Sequence, residues 1–164
     1  MIKLIVLDVD GCLTDGSVIY TANGDEIKAF NVKDGLAIAS WIKMGKKAAI
    51  ITGRVSSIVT RRAKELQINH LYQHVKDKKA KLEEIIKKEA ISYEEVAVIG
   101  DDLNDYAMLK EAGISFTPSD GSAYIKNIVN VVLSKKGGEG AVREMIEYII
   151  KKDELEEEFL KLWV

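Results

Sequence analysis

Two aspartates one residue apart, Asp8 and Asp10, close an uninterrupted apolar run, Leu4-Ile5-Val6-Leu7, and a glycine follows them at once. On an extended strand, residues two apart start on the same side. Carboxylates that close cannot both stay ionised cheaply unless a cation or a shared proton intervenes. Thr52 follows a second apolar run, Lys47 to Ile51, and Asp101 follows a third, Val96 to Ile99, while Lys78 stands where Asp77 opens a helix. Carboxylates gathered at one edge suit a hard divalent cation, and Mg²⁺ commonly takes one or two of them together with waters and phosphate oxygens. Thr52 offers a hydroxyl and neighbouring backbone N–H groups, and Lys78 a compact positive charge for a phosphoryl oxygen. Phosphoryl transfer asks for little else than in-line positioning and neutralisation of charge. One carboxylate can attack phosphorus to give an acyl phosphate, and its neighbour can move the protons. A lone Asp-x-Asp is more often a solvated turn. The chemistry requires the distant groups to meet.

Strand and helix patterns alternate along the chain, which predicts a three-layer, doubly wound, Rossmann-like α/β fold on a parallel sheet. The all-apolar Leu4 to Leu7 reads as a central strand. In such sheets the crossovers share one hand, so the strand ends carrying Asp8, Asp10, Thr52 and Asp101 fall on one rim. Ser17 to Tyr20 and Glu26 to Phe30 flank Asn23-Gly24, a hairpin turn signal, and form a flap over residues 17–30 that hangs above the carboxylates. Asn31 to Gly35 leads into a helix closing at Gly45, whose Trp41 reads as packing. Ser56 is expected to cap the next helix, Ser92-Tyr93-Glu94-Glu95 has the form of a capping box, and Gly137 to Gly140 reads as a flexible loop. His70 and His74 lack the companions of a metal site and are read as structural. The expected body is residues 1–152. The tail, 153–164, carries Leu155, Phe159, Leu162 and Trp163 at helical spacing and would pack on its own domain or on another subunit.

At 164 residues with 47% apolar and 30% charged side chains, the chain reads as one soluble domain with a real core. A net charge of −2 provides no basic field for nucleic acid. No apolar run approaches the ~20 residues that cross a bilayer. With one cysteine, Cys12, no internal disulfide forms, and a cytoplasmic location is expected.

In this order and spacing, Asp8-Val9-Asp10-Gly11-Cys12-Leu13-Thr14, Thr52-Gly53-Arg54, Lys78 and Gly100-Asp101-Asp102-Leu103-Asn104-Asp105 resemble the four motifs of the haloacid dehalogenase superfamily. Together with Asn31 to Gly35 and Gly137-Gly138-Glu139-Gly140-Ala141-Val142-Arg143-Glu144, they look like the 3-deoxy-D-manno-octulosonate 8-phosphate phosphatases. The resemblance implies Asp8 as nucleophile and Mg²⁺ ligand, Asp10 as general acid and base lending its backbone carbonyl to the metal, and Asp101 as the remaining protein ligand. Thr52 and Lys78 would hold the phosphoryl group, with Asp102 and Asp105 behind them. Asn31, Val32, Lys33, Asp34, Gly35, Arg54 and Arg62 would meet the sugar acid, and an arginine fork suits its carboxylate. Cys12 reads as a small packed side chain.

A sister branch acting on nine-carbon 9-phosphates tends to carry Glu in the place of Arg54, which favours the eight-carbon substrate here. The gaps between motifs leave no room for a cap domain. An uncapped site is open to water, which weakens its electrostatics. Closure by neighbouring subunits, in the tetramer that the resemblance implies, is the expected remedy. A phospho-acceptor signalling domain also combines Asp, Thr and Lys at strand ends, but there the lysine comes last, whereas Lys78 precedes Asp101. A phosphotransferase or a catalytically dead member would share the scaffold; the intact motifs disfavour the latter.

Overall fold

The computed structural model describes residues 1–164. Six parallel strands run in the order β5-β4-β1-β6-β7-β8, where β1 is Leu4–Leu7, β4 Lys47–Ile51, β5 His70–Tyr72, β6 Val96–Ile99, β7 Ile114–Thr117 and β8 Val131–Val132. β1 lies at the centre, between β4 and β6, and none of its four residues is exposed. The period-2 geometry divides its side chains between two cores. Ile5 and Leu7 join the larger cluster with Ile38 and Trp41 of α1 (Val32–Lys43), Val59 of α2 (Ser57–Glu65) and Ile146 of α6 (Ala141–Lys152). Leu4 and Val6 join the smaller one with Leu82 of α3 (Lys78–Glu89), Met108 of α4 (Tyr106–Glu111) and Ile125 of α5 (Ala123–Lys126). Helices therefore cover both faces, as an all-parallel sheet requires.

From β1 the chain builds outward through β4 to β5, then returns to the other side of β1 for β6 to β8. Strand order reverses at β1, and a crevice opens beyond the strand ends at such a point. The register makes those ends level, because Leu7 pairs with both Ile50 and Ile99. Asp8, Thr52 and Asp101 thus emerge within one residue of a common height.

The flap is shorter than expected. β2 (Ile19–Tyr20) and β3 (Glu26–Ile27) pair antiparallel over two residues each, around a turn in which Gly24 has φ +86°. Its outer side chains face solvent rather than a core, and a ribbon with nothing to bury pairs only briefly. α1 starts earlier than expected: the Asn31 side chain accepts from Lys33 N (2.8 Å), so Val32–Gly35 are its first turn. Ser56 caps α2, and Ser92 and Glu95 form the capping box before β6. The tail folds as α7 (Glu156–Lys161) and inserts Leu155 and Phe159 into the larger core, while Leu160 and Trp163 stay exposed.

Candidate active site

Asp8 continues β1, its N–H donating to Ile99 O (3.2 Å), and the residue is 5% exposed. The chain then makes a wide turn over Val9–Leu13, closed by Thr14 N–H donating to Val9 O (3.0 Å), with Gly11 at φ +94°. Only glycine fits there on two counts. That φ is left-handed, and a Cβ would stand 1.9 Å from Asp101 Oδ2. The backbone of the turn therefore lies directly against the Asp101 carboxylate.

Lys78 begins α3, whose N-terminus is capped by the Asp77 side chain accepting from Ala80 N. The Lys78 ammonium reaches back across the rim to donate to Asp8 Oδ1 (2.8 Å) and Asp105 Oδ1 (2.6 Å). Asp105 is wholly buried, and its other oxygen accepts from Asp101 N (3.0 Å) and Asp102 N (3.4 Å). One buried carboxylate thus fixes both the lysine and the loop bearing Asp101. Asp102 spends its side chain on Leu103 N (2.8 Å) and also borders the cleft.

Charge is unbalanced here. Asp8, Asp101 and Asp105 share one cation. Burial, then repulsion from Asp105 and Asp101 against the opposing pull of Lys78, holds the Asp8 carboxyl well above the usual carboxylate range. Burial followed by the Asp105 and Asp102 charges raises Asp101 to about 7. Burial opposes the charge on Lys78, but Asp8 and Asp105 outweigh it and its pKa rises. A further positive charge is what this cluster lacks, and the donors available are oxygens of Asp8 and Asp101 plus the backbone of the Asp10 turn. That set fits a hard divalent ion such as Mg²⁺. Cys12 Sγ lies within 4.8 Å of both carboxylates, but burial pushes its thiol up, so it remains a neutral packed side chain.

Asp8, Asp10, Thr52, Arg54, Asp101 and Asp102 line one cleft of about 250 Å³ with Gly16, Gly53 and Asn104, and no hydrophobic side chain borders it. Such a lining suits a charged, hydrated ligand and not an apolar one. The Asp10 carboxylate is bonded from the flap, where Lys28 Nζ donates to its Oδ1 (2.5 Å). Glu26 Oε1 meets Lys28 (3.2 Å) and Arg54 Nη2 (3.3 Å), and Arg54 also reaches the Tyr20 hydroxyl (3.3 Å). Sequence reasoning placed the flap but missed Glu26 and Lys28. Their signal was available, since residues two apart on a hairpin share a face, here the inward one.

The sugar-acid set is scattered. Asn31 caps α1 and Lys33 is exposed. Asp34 was expected to meet the substrate, but its side chain is buried at the N-terminus of α6, accepting from Arg143 N (2.8 Å). A helix start with free N–H groups and no cap of its own draws a carboxylate more strongly than solvent does. Gly35 is likewise buried, so close to Arg62 that a Cβ would stand 2.3 Å from its Nη2. Arg62 lies over the Phe30 ring (5.6 Å) and, with Val32, Arg61 and Lys28, lines a second cavity of about 430 Å³, separate from the carboxylate cleft but touching it through Lys28, the partner of Asp10. Nor is the Gly137 to Gly140 loop free, as expected from composition. Gly137 packs where a Cβ would stand 1.9 Å from Gly11 O, and Gly138 N donates to Cys12 O (3.1 Å). The glycines let this loop brace the Asp8–Asp15 backbone. Neither histidine borders the cleft; His70 pairs with Glu89 (2.5 Å).

Known proteins resemble this chain over most of its length. The sequence profile of haloacid dehalogenase-like hydrolases matches residues 70–146. The 3-deoxy-D-manno-octulosonate 8-phosphate phosphatase of Haemophilus influenzae is 39% identical over 150 residues, covering 92% of this chain and 83% of that protein. Among solved structures, the phosphatase of that name from Moraxella catarrhalis, in complex with magnesium ion, phosphate ion and a KDO molecule, superposes with a TM-score of 0.95. It is 42% identical, over 99% of this chain and 94% of that one. The Yersinia pestis phosphatase gives a TM-score of 0.91 at 39% identity, over 94% and 84% of the two chains.

Proposed function

Because the chain belongs to the 3-deoxy-D-manno-octulosonate 8-phosphate phosphatases, within the haloacid dehalogenase-like hydrolases, we propose that it hydrolyses that eight-carbon sugar acid phosphate with Mg²⁺ as cofactor. The observation that best supports this reading is the Lys78 bridge. One ammonium bonds Asp8 and Asp105, while Asp101 faces the same cleft across Gly11.

The residue roles in this reading are those the family resemblance implies, and the position of each group supports them. Lys78 holds Asp8 Oδ1 and keeps the carboxylate oriented, so its second oxygen is the attacking atom. It forms a bond to phosphorus as the ester oxygen departs, giving an aspartyl phosphate. Asp10 gives its proton to the departing oxygen. It then takes one from the water that attacks phosphorus and restores Asp8. Thr52 and Lys78 bind the phosphoryl oxygens, and Asp105 positions Lys78. Asp8, the Asp10 carbonyl and Asp101 would hold Mg²⁺, which when bound would mask the negative charge on nucleophile and phosphoryl group. Arg54, at the cleft and 44% exposed, meets the sugar carboxylate with the part of its guanidinium that Glu26 leaves free.

The working unit we propose is a homotetramer in which neighbours close the cleft. Val18, Ile19, Tyr20 and Ile27 of the flap are 44–62% exposed, and Val32 and Val55 beside them more so. Such an apolar rim around an open polar cleft is a contact surface. Light scattering should find a tetramer, and full turnover by a stable monomer would refute it. No helix is long and apolar enough to cross a membrane. The substrate is tested by phosphate release from eight-carbon and nine-carbon sugar acid phosphates at matched concentration. We expect kcat/KM to favour the octulosonate by ~100-fold, which is ~2.7 kcal/mol of transition-state binding. The reverse preference would reassign the chain to the nine-carbon branch.

A further inference from the structure

We propose that Lys28 is a positioning residue that holds the Asp10 carboxylate from the flap, so that proton transfer in the cleft depends on the flap being seated. The inference rests on the role of Asp10 given above. Side chains alternate through β3 and the residue after it: Ile27 points to solvent at 49% exposure, while the side chain of Lys28, just past the strand's end, is 1% exposed. A lysine is almost never buried this far without a partner, because it loses both hydration and side-chain freedom. Its partners are Asp10 Oδ1 at 2.5 Å and Glu26 Oε1 at 3.2 Å.

Seen from Asp10, the contact is more informative. Lys28 is the only group in the chain that bonds its side chain, which is 19% exposed and borders the cleft. Its backbone sits in the turn before Gly11, outside any regular element that could fix a rotamer. Lys28 therefore sets where the carboxylate points, and Glu26 sets Lys28 while also tying Arg54 to the flap. A proton donor must lie within hydrogen-bond reach of the leaving oxygen, and slack of ~1 Å can cost ~10²-fold. The ammonium occupies Oδ1 and leaves Oδ2 to carry the proton that Asp10 gives to the leaving oxygen. A two-residue ribbon with little core of its own is thereby coupled to chemistry, through a single buried pair.

The test compares kcat/KM across aryl phosphates of similar size whose leaving groups run from good to poor, in the wild type, Lys28→Met and Asp10→Asn. A poor leaving group needs the proton and a good one does not, so Lys28→Met should lose about 30-fold on the poorest ester and under about threefold on the best. The double variant should equal Asp10→Asn alone. Loss of the same factor on every ester would make Lys28 a binding or structural residue, and no loss would make it inert; either overturns the proposal. If Asp10→Asn leaves the leaving-group dependence unchanged, it is the role of Asp10 itself that fails. A steeper dependence in Asp10→Asn with none in Lys28→Met rejects Lys28 alone. Should the methionine variant not fold, Lys28→Gln carries the same expectation.

Discussion

The rim and the flap face each other across the cleft and are built on opposite terms. At the rim, Asp8, Lys78 and Asp105 are each at most 5% exposed; Asp8 extends a strand buried on both faces, Lys78 opens α3, and Asp105 ends the helical turn before α4. In the flap, two residues pair with two, and the outward side chains stand in solvent. Phosphoryl transfer tolerates little positional error, so its groups sit where packing permits none. Substrate choice and access tolerate and need movement, and the proposed roles of Arg54 and Lys28 assign them to a briefly paired ribbon. Arg54 and Lys28 work at the boundary between the two.

The division is broken most severely at Asp8. Asp8→Asn keeps the shape but removes the nucleophile, and phosphate release should fall by at least about 10⁴-fold with an unchanged circular dichroism spectrum. Surviving activity would move the chemistry elsewhere. Lys78→Met should damage fold and turnover together. It leaves buried carboxylates uncompensated, at a cost of about 3–5 kcal/mol in denaturant unfolding. Turnover lost with undiminished stability would show the rim to be less interdependent than its bonds imply.

On the flap side the effect should be smaller and specific to substrate. Arg54→Ala should raise KM for the sugar acid phosphate about tenfold and hardly change it for a small aryl phosphate, as expected for loss of an exposed charge-assisted contact. Equal effects on both would remove its role in specificity. Proton competition gives a subtler measure of the rim. With Asp101 raised to about 7, a proton must leave before a cation binds at lower pH, so Mg²⁺ affinity measured by titration calorimetry should weaken as pH falls below about 7. Affinity independent of pH between 5 and 8 would contradict that charge balance.

Asp34 should give the smallest change. Its pKa is raised to about 6 because burial outweighs the helix N–H groups, so the folded state binds the proton more tightly than the unfolded chain. Its charge therefore costs stability as pH rises from the ordinary carboxylate range through about 6. Asp34→Asn should gain on the wild type across that interval, by under about 1 kcal/mol, in thermal melts at pH 5 and 8. A gain that shrinks with pH would reverse the sign.

Most of the rim was readable in the residues, because apolar runs ending in polar groups report both strand and edge. Leu4–Leu7, Lys47–Ile51 and Val96–Ile99 are such runs. Parallel topology then brings their ends level without further information. What remained hidden depends on tertiary partners. Asp34 looks like a loop acid until α6 is seen to start above it, 109 residues later. Gly137 and Gly138 look like slack until the Gly11 backbone is found against them. Arg62 carries the right charge, but that it packs against Gly35 and over Phe30, in a cavity it shares with Lys28, is set by tertiary partners. Lys28 was missed because a hairpin's register says which residues face inward, not what they meet there.

The central claim is that Asp8 accepts phosphorus, and trapping the intermediate tests it most directly. Enzyme with Mg²⁺ and the octulosonate 8-phosphate is quenched in acid within a single turnover, and its peptides are weighed. The account predicts one phosphoryl group on the peptide carrying Asp8, appearing and decaying no slower than turnover. Turnover at full rate with no phosphorylated peptide at any time, or with the phosphoryl group on another residue, would contradict it.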